Sequence, residues 1–328
     1  MNILSREDAI LCMNDFGARH LPFLFVIDFL TQSPLVLPLN EIDKAQILYD
    51  VQGSTNGNAG DIPRSSEQTI LTKHPISYTR YAAAFENVAH HIHDGNSYLL
   101  NLTFPTCIHT NRTLREIFFL SNAKYKLWIE DQFVVFSPEP FVRIQNHKIS
   151  SYPMKGTIDA SIDHAQKKIL NDEKELAEHT TIVDLIRNDL SMIASDVHVE
   201  SFRYVERIST NQKDLLQVSS KISGVLAPDF QARIGTLLFT MLPAGSISGA
   251  PKKKTVEIIL ESEQYPRGYY TGVFGIFDGS TMESGVMIRF IENIDGEFYY
   301  KSGGGITAMS TPELEYQEMI DKVYVPIV

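Results

Sequence analysis

The chain has 328 residues, with 29 Lys and Arg against 40 Asp and Glu, a formal net charge of −11. Lys252-Lys253-Lys254 is its only basic run, which excludes a nucleic-acid partner, because phosphate binding needs clustered cations. A hydrophobic fraction of 43% with 21% charged residues excludes disordered and fibrous classes. Two distant cysteines, Cys12 and Cys107, signal neither a disulfide framework nor a zinc cluster and point to a reducing compartment. No run reaches the ~18 apolar residues of a membrane span, and the start MNILSREDAI lacks the apolar core of a signal peptide. The composition therefore reads as a cytoplasmic protein with no membrane partner.

In chain order, a short helix precedes Pro22 to Phe29 and Pro34 to Leu39, which flank Thr31-Gln32-Ser33 as a β-hairpin. Asn56 to Gly60 is loop, and the polar stretch from there to Lys73 is the best internal boundary. The expected organisation is a β-rich N-terminal segment, residues 1–75, packed on a main domain, residues 76–328. Tyr81, Phe85, Val88 and Ile92 recur at helical spacing until Gly95, and Tyr98 to Thr103 is a strand. Lys124 to Phe136 reads as two strands around Asp131-Gln132. Ser137-Pro138-Glu139-Pro140 is a tight turn placing Glu139 beside the next strand.

Pro153-Met154-Lys155-Gly156-Thr157 sets a lysine between a residue that fixes φ and one that permits close approach. It is either a plain strand-end turn or a presented lysine. Helices are expected over Ala160 to Leu170 and Glu173 to Asp189, the second with Leu176, Thr180, Val183 and Ile186 on one face. On it Glu175 and Glu178 project from the same side, next to His179. The helix opened by Thr311-Pro312-Glu313 repeats the spacing with Glu315 and Glu318, followed by Lys322. Each pair alone reads as a solvated face; two pairs with apolar neighbours read as facing carboxylates that a hard, oxygen-ligated cation such as Mg²⁺ would neutralise. A carboxylate di-iron site is excluded, since it needs Glu-x-x-His on two helices.

Leu242-Pro243-Ala244-Gly245-Ser246-Ile247-Ser248-Gly249-Ala250-Pro251-Lys252 leads into a helix through Glu263, and is either an anion-binding helix N-terminus or plain helix initiation. Tyr269 to Phe277, Gly285 to Ile294 and Gly296 to Ser302 read as one strand meander. Arg289 within it is either an edge charge or a fork aimed at a carboxylate. Gly303-Gly304-Gly305 is either an anion-binding run of amides or a linker.

Taken together, SPEPF (Ser137 to Phe141), PMKGT, AEHTTIVDLIRNDL (Ala177 to Leu190), LPAGSISGAPK, RGYYTGVFG (Arg267 to Gly275), the Arg289 strand, SGGGIT and ELEYQEMIDK (Glu313 to Lys322) resemble the chorismate-utilising enzymes, from about Tyr78 onward. The resemblance implies an α+β fold with two β-rich halves forming a sandwich-like core with flanking helices. It also implies chorismate bound beside Mg²⁺, with Glu178 and Glu318 as direct ligands and Glu175 and Glu315 in or near the shell. Tyr270, Arg289, Lys322 and the amides of Gly303 and Gly305 match positions that hold substrate carboxylates. His179 and Ser246 match positions near the ring hydroxyl. Within the family, aminodeoxychorismate synthases carry lysine where this chain has Lys155, and most relatives carry alanine. The implied activity is 4-amino-4-deoxychorismate formation for 4-aminobenzoate and folate synthesis, with Lys155 as nucleophile, Glu139 as general acid and ammonia from a separate glutamine amidotransferase. The alternatives are an anthranilate synthase and a non-catalytic metal- or anion-binding relative. Departures from the family pattern are Ser246 for the usual threonine, Ser191-Met192 for Gly-Arg, and Ile276 for a common tyrosine.

Overall fold

Strands rich in β-branched and aromatic residues build two antiparallel nine-stranded sheets in the computed structural model, which describes residues 3–61, 68–209 and 214–327. Part of the polar boundary expected between Gly60 and Lys73, residues 62–67, lies outside the described residues. Each sheet belongs to its own compact unit, and the chain crosses between them repeatedly. The first unit is Met1–Leu39, Glu139–Ser246 and Gly272–Ser284; the second is Asn40–Pro138, Ile247–Thr271 and Gly285–Val328. The division thus runs through the first 75 residues rather than after them. The reason is pairing: Phe23–Ile27 takes Val273–Phe277 as its neighbour, whereas Ile47–Val51 pairs with Tyr125–Ile129.

In the first sheet the strands run Met154–Asp159, Asp214–Val225, Lys148–Ser151, Pro140–Gln145, Met282–Val286, Val273–Phe277, Phe23–Ile27, Leu35–Pro38, with Ser195–Ser209 also on Asp214–Val225. The expected hairpin is present. Its turn holds Thr31 at φ +58°, and the Asp28 carboxylate accepts from Gln32 N (3.1 Å) and Ser33 N (2.7 Å). Helices Arg6–Ala18, Ala165–Leu170, Glu173–Ser191 and Ile234–Met241 belong to this unit. The second of these starts later than its sequence suggests, because His164 takes a left-handed φ of +56°.

The second sheet runs Gly249–Ala250, Leu99–Thr110, Glu297–Ile306, Phe290–Ile294, Phe133–Ser137, Tyr125–Ile129, Ile47–Val51, Ser54–Thr55, with Leu71–His74 also on Leu99–Thr110. Helices Tyr78–His93, Leu114–Leu120, Lys252–Glu263 and Pro312–Asp321 accompany it. Its core includes Leu48, Ile117, Trp128, Val134, Tyr300 and Val323, all buried. The expected single meander is split: Met282–Val286 belongs to the first sheet and Phe290–Ile294 to the second. Arg289 is therefore not mid-strand. It lies where the chain leaves one sheet for the other, at φ +53°.

Glu263 ends its helix fully inside the second unit, 1% exposed. Its carboxylate accepts from Arg267 Nε (2.8 Å) and Nη2 (2.6 Å), and from Thr103 N (2.8 Å) and Oγ1 (2.9 Å). Arg267 also donates to Asn101 O at 2.6 Å. The pair thus ties the helix, the following turn and the strand Leu99–Thr110 together.

Candidate functional site

Lys155 is set into the sheet by a local irregularity. Register on Asp214–Val225 breaks between Met154 and Thr157, where the partners step from Ser219 to Gln217. Lys155 and Gly156 therefore oppose one residue, and such bulges re-aim side chains. Gly156 takes φ +79°, and a Cβ there would stand 3.0 Å from Glu175 Oε2. Lys155 is thus displayed by a bulge within the strand, not by a turn at its end. Its Nζ lies 3.6 Å from Glu178 Oε2, with 22% of the side chain exposed. Lys174 Nζ approaches the other oxygen of the same carboxylate at 3.8 Å.

The helix Glu173–Ser191 is started by Asp172, whose side chain accepts from Glu175 N at 2.9 Å. Its buried face is Glu178, His179, Ile182, Val183, Ile186, Asp189 and Leu190, whereas Leu176 is 40% exposed. The expected face is rotated: the polar residues Glu178 and His179 are inside, a placement that apolar periodicity does not register. Burial, then the neighbouring Glu178, raises the pKa of Glu175 against the pull of Lys155. His179 is 1% exposed, and burial, then Arg203 and Lys155, pushes its pKa down to about 4. Its Nε2 is 2.7 Å from Ser220 Oγ, and its Nδ1 is buried without a hydrogen-bond partner among the described residues. Glu139, Asp189 and Ser246 line one small cavity, which Pro153 extends to the edge of the lysine segment.

The second unit carries the remaining candidates. Glu315 is 2% exposed and accepts from Ser310 Oγ at 2.7 Å; Glu318 takes Lys322 Nζ at 2.6 Å. Lys322 also donates to Gly303 O at 2.8 Å. The Gly303–Gly305 run is strand, not linker: Gly303 pairs with Thr103 and Gly305 with Asn101. On the other side, the pairing with Phe290–Ile294 ends at Lys301, so main-chain groups beyond it face no strand among the described residues. Arg289 Nε is buried without a hydrogen-bond partner among the described residues, and its guanidinium stands 5.3 Å from the Tyr324 ring centroid. Tyr270 is 3% exposed, with its ring 5.8 Å from that of Phe290.

The run LPAGSISGAPK contributes to both units. Gly245–Ser248 is one helical turn, and Gly249–Ala250 pairs with Leu100 and Leu99 before the helix Lys252–Glu263 begins. Main-chain pairing thus occupies the approach to that helix.

Both glutamate pairs present oxygen donors suited to a hard cation. In the first, burial has already raised one pKa. In the second, Glu315 Oε2 and Glu318 Oε1 lie 3.1 and 3.4 Å from where a Cβ on Gly304 would stand, so only glycine leaves that space open. Each pair thus offers donors of the right kind, and among the described residues no three His, Cys, Asp or Glu side chains converge. The two pairs belong to different units.

Sequence reasoning did not single out Tyr81, Asp189 or Ser220. Tyr81 looks like one more apolar position of its helix. Yet its buried hydroxyl has no hydrogen-bond partner among the described residues, and burial, then Glu315 and Glu318, raises its pKa. Ser219, Ser220 and Ser223 are all buried, so a serine-rich strand was the signal available.

The sequence profile of a family described as chorismate binding enzyme matches residues 39–327. An uncharacterized PabA-like protein of Pasteurella multocida (strain Pm70) is 52% identical over 315 residues, 96% of this chain and 97% of its own length. A PabA-like protein of Haemophilus influenzae is 50% identical over 314 residues, 96% of this chain and 95% of its own. Anthranilate synthase component 1 of Acetivibrio thermocellus is 33% identical over 251 residues, 71% of this chain and 49% of that protein, so this chain spans about half the length of that relative. Among solved structures, anthranilate synthase component I of Streptococcus pneumoniae TIGR4 superposes with a TM-score of 0.64 at 26% identity, covering 78% of this chain and 59% of that one. The menaquinone-specific isochorismate synthase MenF of Escherichia coli superposes with a TM-score of 0.75 at 17% identity, covering 98% and 82%, and shares the fold. No described helix is long and apolar enough to cross a membrane.

Proposed function

Because this chain belongs to the chorismate-binding enzymes, we propose that it is an aminodeoxychorismate synthase component I, converting chorismate and ammonia to 4-amino-4-deoxychorismate. The observation that carries this reading is Lys155, displayed by a bulge beside Glu178. An amino group that near a buried carboxylate is held in place, and in its neutral form it is a nucleophile.

In the proposed mechanism the neutral Lys155 Nζ forms a bond to ring C2, the two conjugated ring double bonds shift, and the C4–oxygen bond breaks as Glu139 gives its proton to the departing hydroxyl. Ammonia then adds at C4 and gives up a proton that restores Glu139, both double bonds return, and the C2–nitrogen bond breaks to release the lysine. Tyr270, Arg289, Lys322 and the amides of Gly303 and Gly305 hold the substrate carboxylates, and His179 and Ser246 contact the ring hydroxyl. Glu178 and Glu318, with Glu175 and Glu315 behind them, would hold Mg²⁺, whose charge would neutralise the ring carboxylate. This reading requires the two glutamate pairs to face one another. Ammonia comes from a glutamine amidotransferase partner, and the product serves 4-aminobenzoate and folate synthesis in the cytoplasm.

A second reading, anthranilate synthase, is favoured by the relatives of that name. Incubation with chorismate, ammonium and Mg²⁺ separates the two: the first gives the 4-amino intermediate, the second the ortho-aminobenzoate. Chorismate without ammonia should leave a mass increase on the peptide containing Lys155. Full ammonia-dependent activity in Lys155→Ala would remove the nucleophile role.

A further inference from the structure

Ser220 sits between two irregularities on the strand Asp214–Val225. On one side the strand Ser195–Ser209 loses register between Ser201 and Tyr204, whose partners are Lys221 and Ser219, so Phe202 and Arg203 share the position opposite Ser220. Arg203 takes φ +51°, uncommon for a residue with a side chain. Its N–H thereby donates to Ser220 Oγ at 2.9 Å. Its guanidinium anchors the displaced backbone on Leu170 O (2.8 Å) and Ile169 O (3.0 Å). On the other side Ser220 N donates to Pro153 O at 3.0 Å, two residues before Lys155. A single serine thus joins the lysine segment, the second bulge and His179.

The hydroxyl hydrogen of Ser220 has a restricted choice. The residue is 0% exposed, and its oxygen already accepts from Arg203 N. Among the described residues the acceptor within reach is His179 Nε2 at 2.7 Å. A proton on Nε2 would leave the serine hydrogen buried without an acceptor, which is costly. We propose that Ser220 is a positioning residue: its hydroxyl donates to His179 Nε2, fixes the imidazole as the Nδ1–H tautomer, and makes His179 a hydrogen-bond donor toward an oxygen of the bound substrate. The buried, unpartnered Nδ1 is the atom this leaves available. Which ligand supplies the oxygen rests on the function proposed above; the tautomer does not.

The test is ¹⁵N NMR of the full chain labelled at histidine, at neutral pH. The His179 signals are assigned by their loss in His179→Asn or, should that variant not fold, by through-space contacts to Phe202, whose ring lies 5.8 Å away. A protonated, pyrrole-type Nδ1 with a pyridine-type Nε2 is expected. A protonated Nε2, or an imidazolium carrying both protons, overturns the proposal. Ser220→Ala should mix the tautomers and lower kcat roughly 10- to 100-fold, the usual cost of losing a group that orients a working side chain. KM for chorismate should change much less, and Ser220→Thr should restore both readouts. An unmixed tautomer in folded Ser220→Ala also overturns the proposal, and if that variant does not fold the parent spectrum decides. If chorismate is not aminated but Nδ1 carries the proton, the function fails and the tautomer stands; the converse outcome separates them equally.

Discussion

Replacing Glu263 by glutamine should destabilise the second unit by about 3–5 kcal/mol, the usual cost of stranding one member of a buried ion pair. The carboxylate meets Arg267 at 2.8 and 2.6 Å with both residues about 1% exposed at the side chain, so no water can replace it. Glutamine keeps an oxygen for Thr103 but turns an amide toward the guanidinium, leaving that charge uncompensated. The assay is urea unfolding followed by tryptophan fluorescence, since the single tryptophan, Trp128, is buried in the same unit. With a slope of about 3 kcal/mol per molar urea, the midpoint should fall by roughly 1–1.7 M. Glu263→Gln combined with Arg267→Met should lose less than the sum of the single changes, because the second removes the stranded charge. A midpoint within about 0.3 M of the parent in Glu263→Gln would refute the reasoning, as the slope converts it to ~1 kcal/mol.

Gly156→Ala forces a side chain into φ +79° and to 3.0 Å from Glu175 Oε2; a loss of about 1–2 kcal/mol in stability is expected. Formation of the Lys155 adduct should slow more than the melting temperature suggests, and an unchanged adduct rate would show that the bulge does not aim the lysine. Glu178→Gln and Glu318→Gln should each weaken Mg²⁺ binding in a calorimetric titration, and unchanged titrations in both would remove them from the donor set. Glu200 has its pKa lowered from 4.5 to about 2, first by its hydrogen bond from Lys148 and then by that from Lys221. A lowered carboxylate pKa contributes stability that is complete above the unfolded value and lost as pH falls. The stability difference between the parent and Glu200→Gln, followed by circular dichroism, should therefore be constant above pH 4.5 and shrink toward pH 2. A difference that is flat across that window would exclude the linkage.

The elements with strong local signals were legible in the sequence. The hairpin carries polar turn residues, the helix Tyr78–His93 ends at Gly95, and Pro312 opens the last helix. The pairing of those elements was not legible, because local pattern carries no record of which distant strand becomes a neighbour. The run Gly303–Gly305 read as either anion-binding amides or a linker for that reason, and its place in a strand shows only once Thr103 and Asn101 are seen opposite it. Arg289 looked like a strand residue because its apolar neighbours alternate, whereas a left-handed φ breaks the strand at that point. In the candidate site, spacing, family resemblance and proton-transfer chemistry chose the residue types. The bulges were not legible, since a shift of register leaves no periodic trace. Ser220 stayed hidden because a buried serine reads as a neutral filler unless its partners are known.

The alternation of the two sheets along the chain has a consequence for synthesis. Phe23–Ile27 is an interior strand whose partner Val273–Phe277 leaves the ribosome about 250 residues later, which at ~5–20 residues per second is roughly 12–50 s. Throughout that interval an apolar strand of five buried residues has one edge unfilled. The nascent protein is thus most vulnerable to aggregation before Val273–Phe277 emerges, and slowing translation ahead of that strand should prolong the exposure.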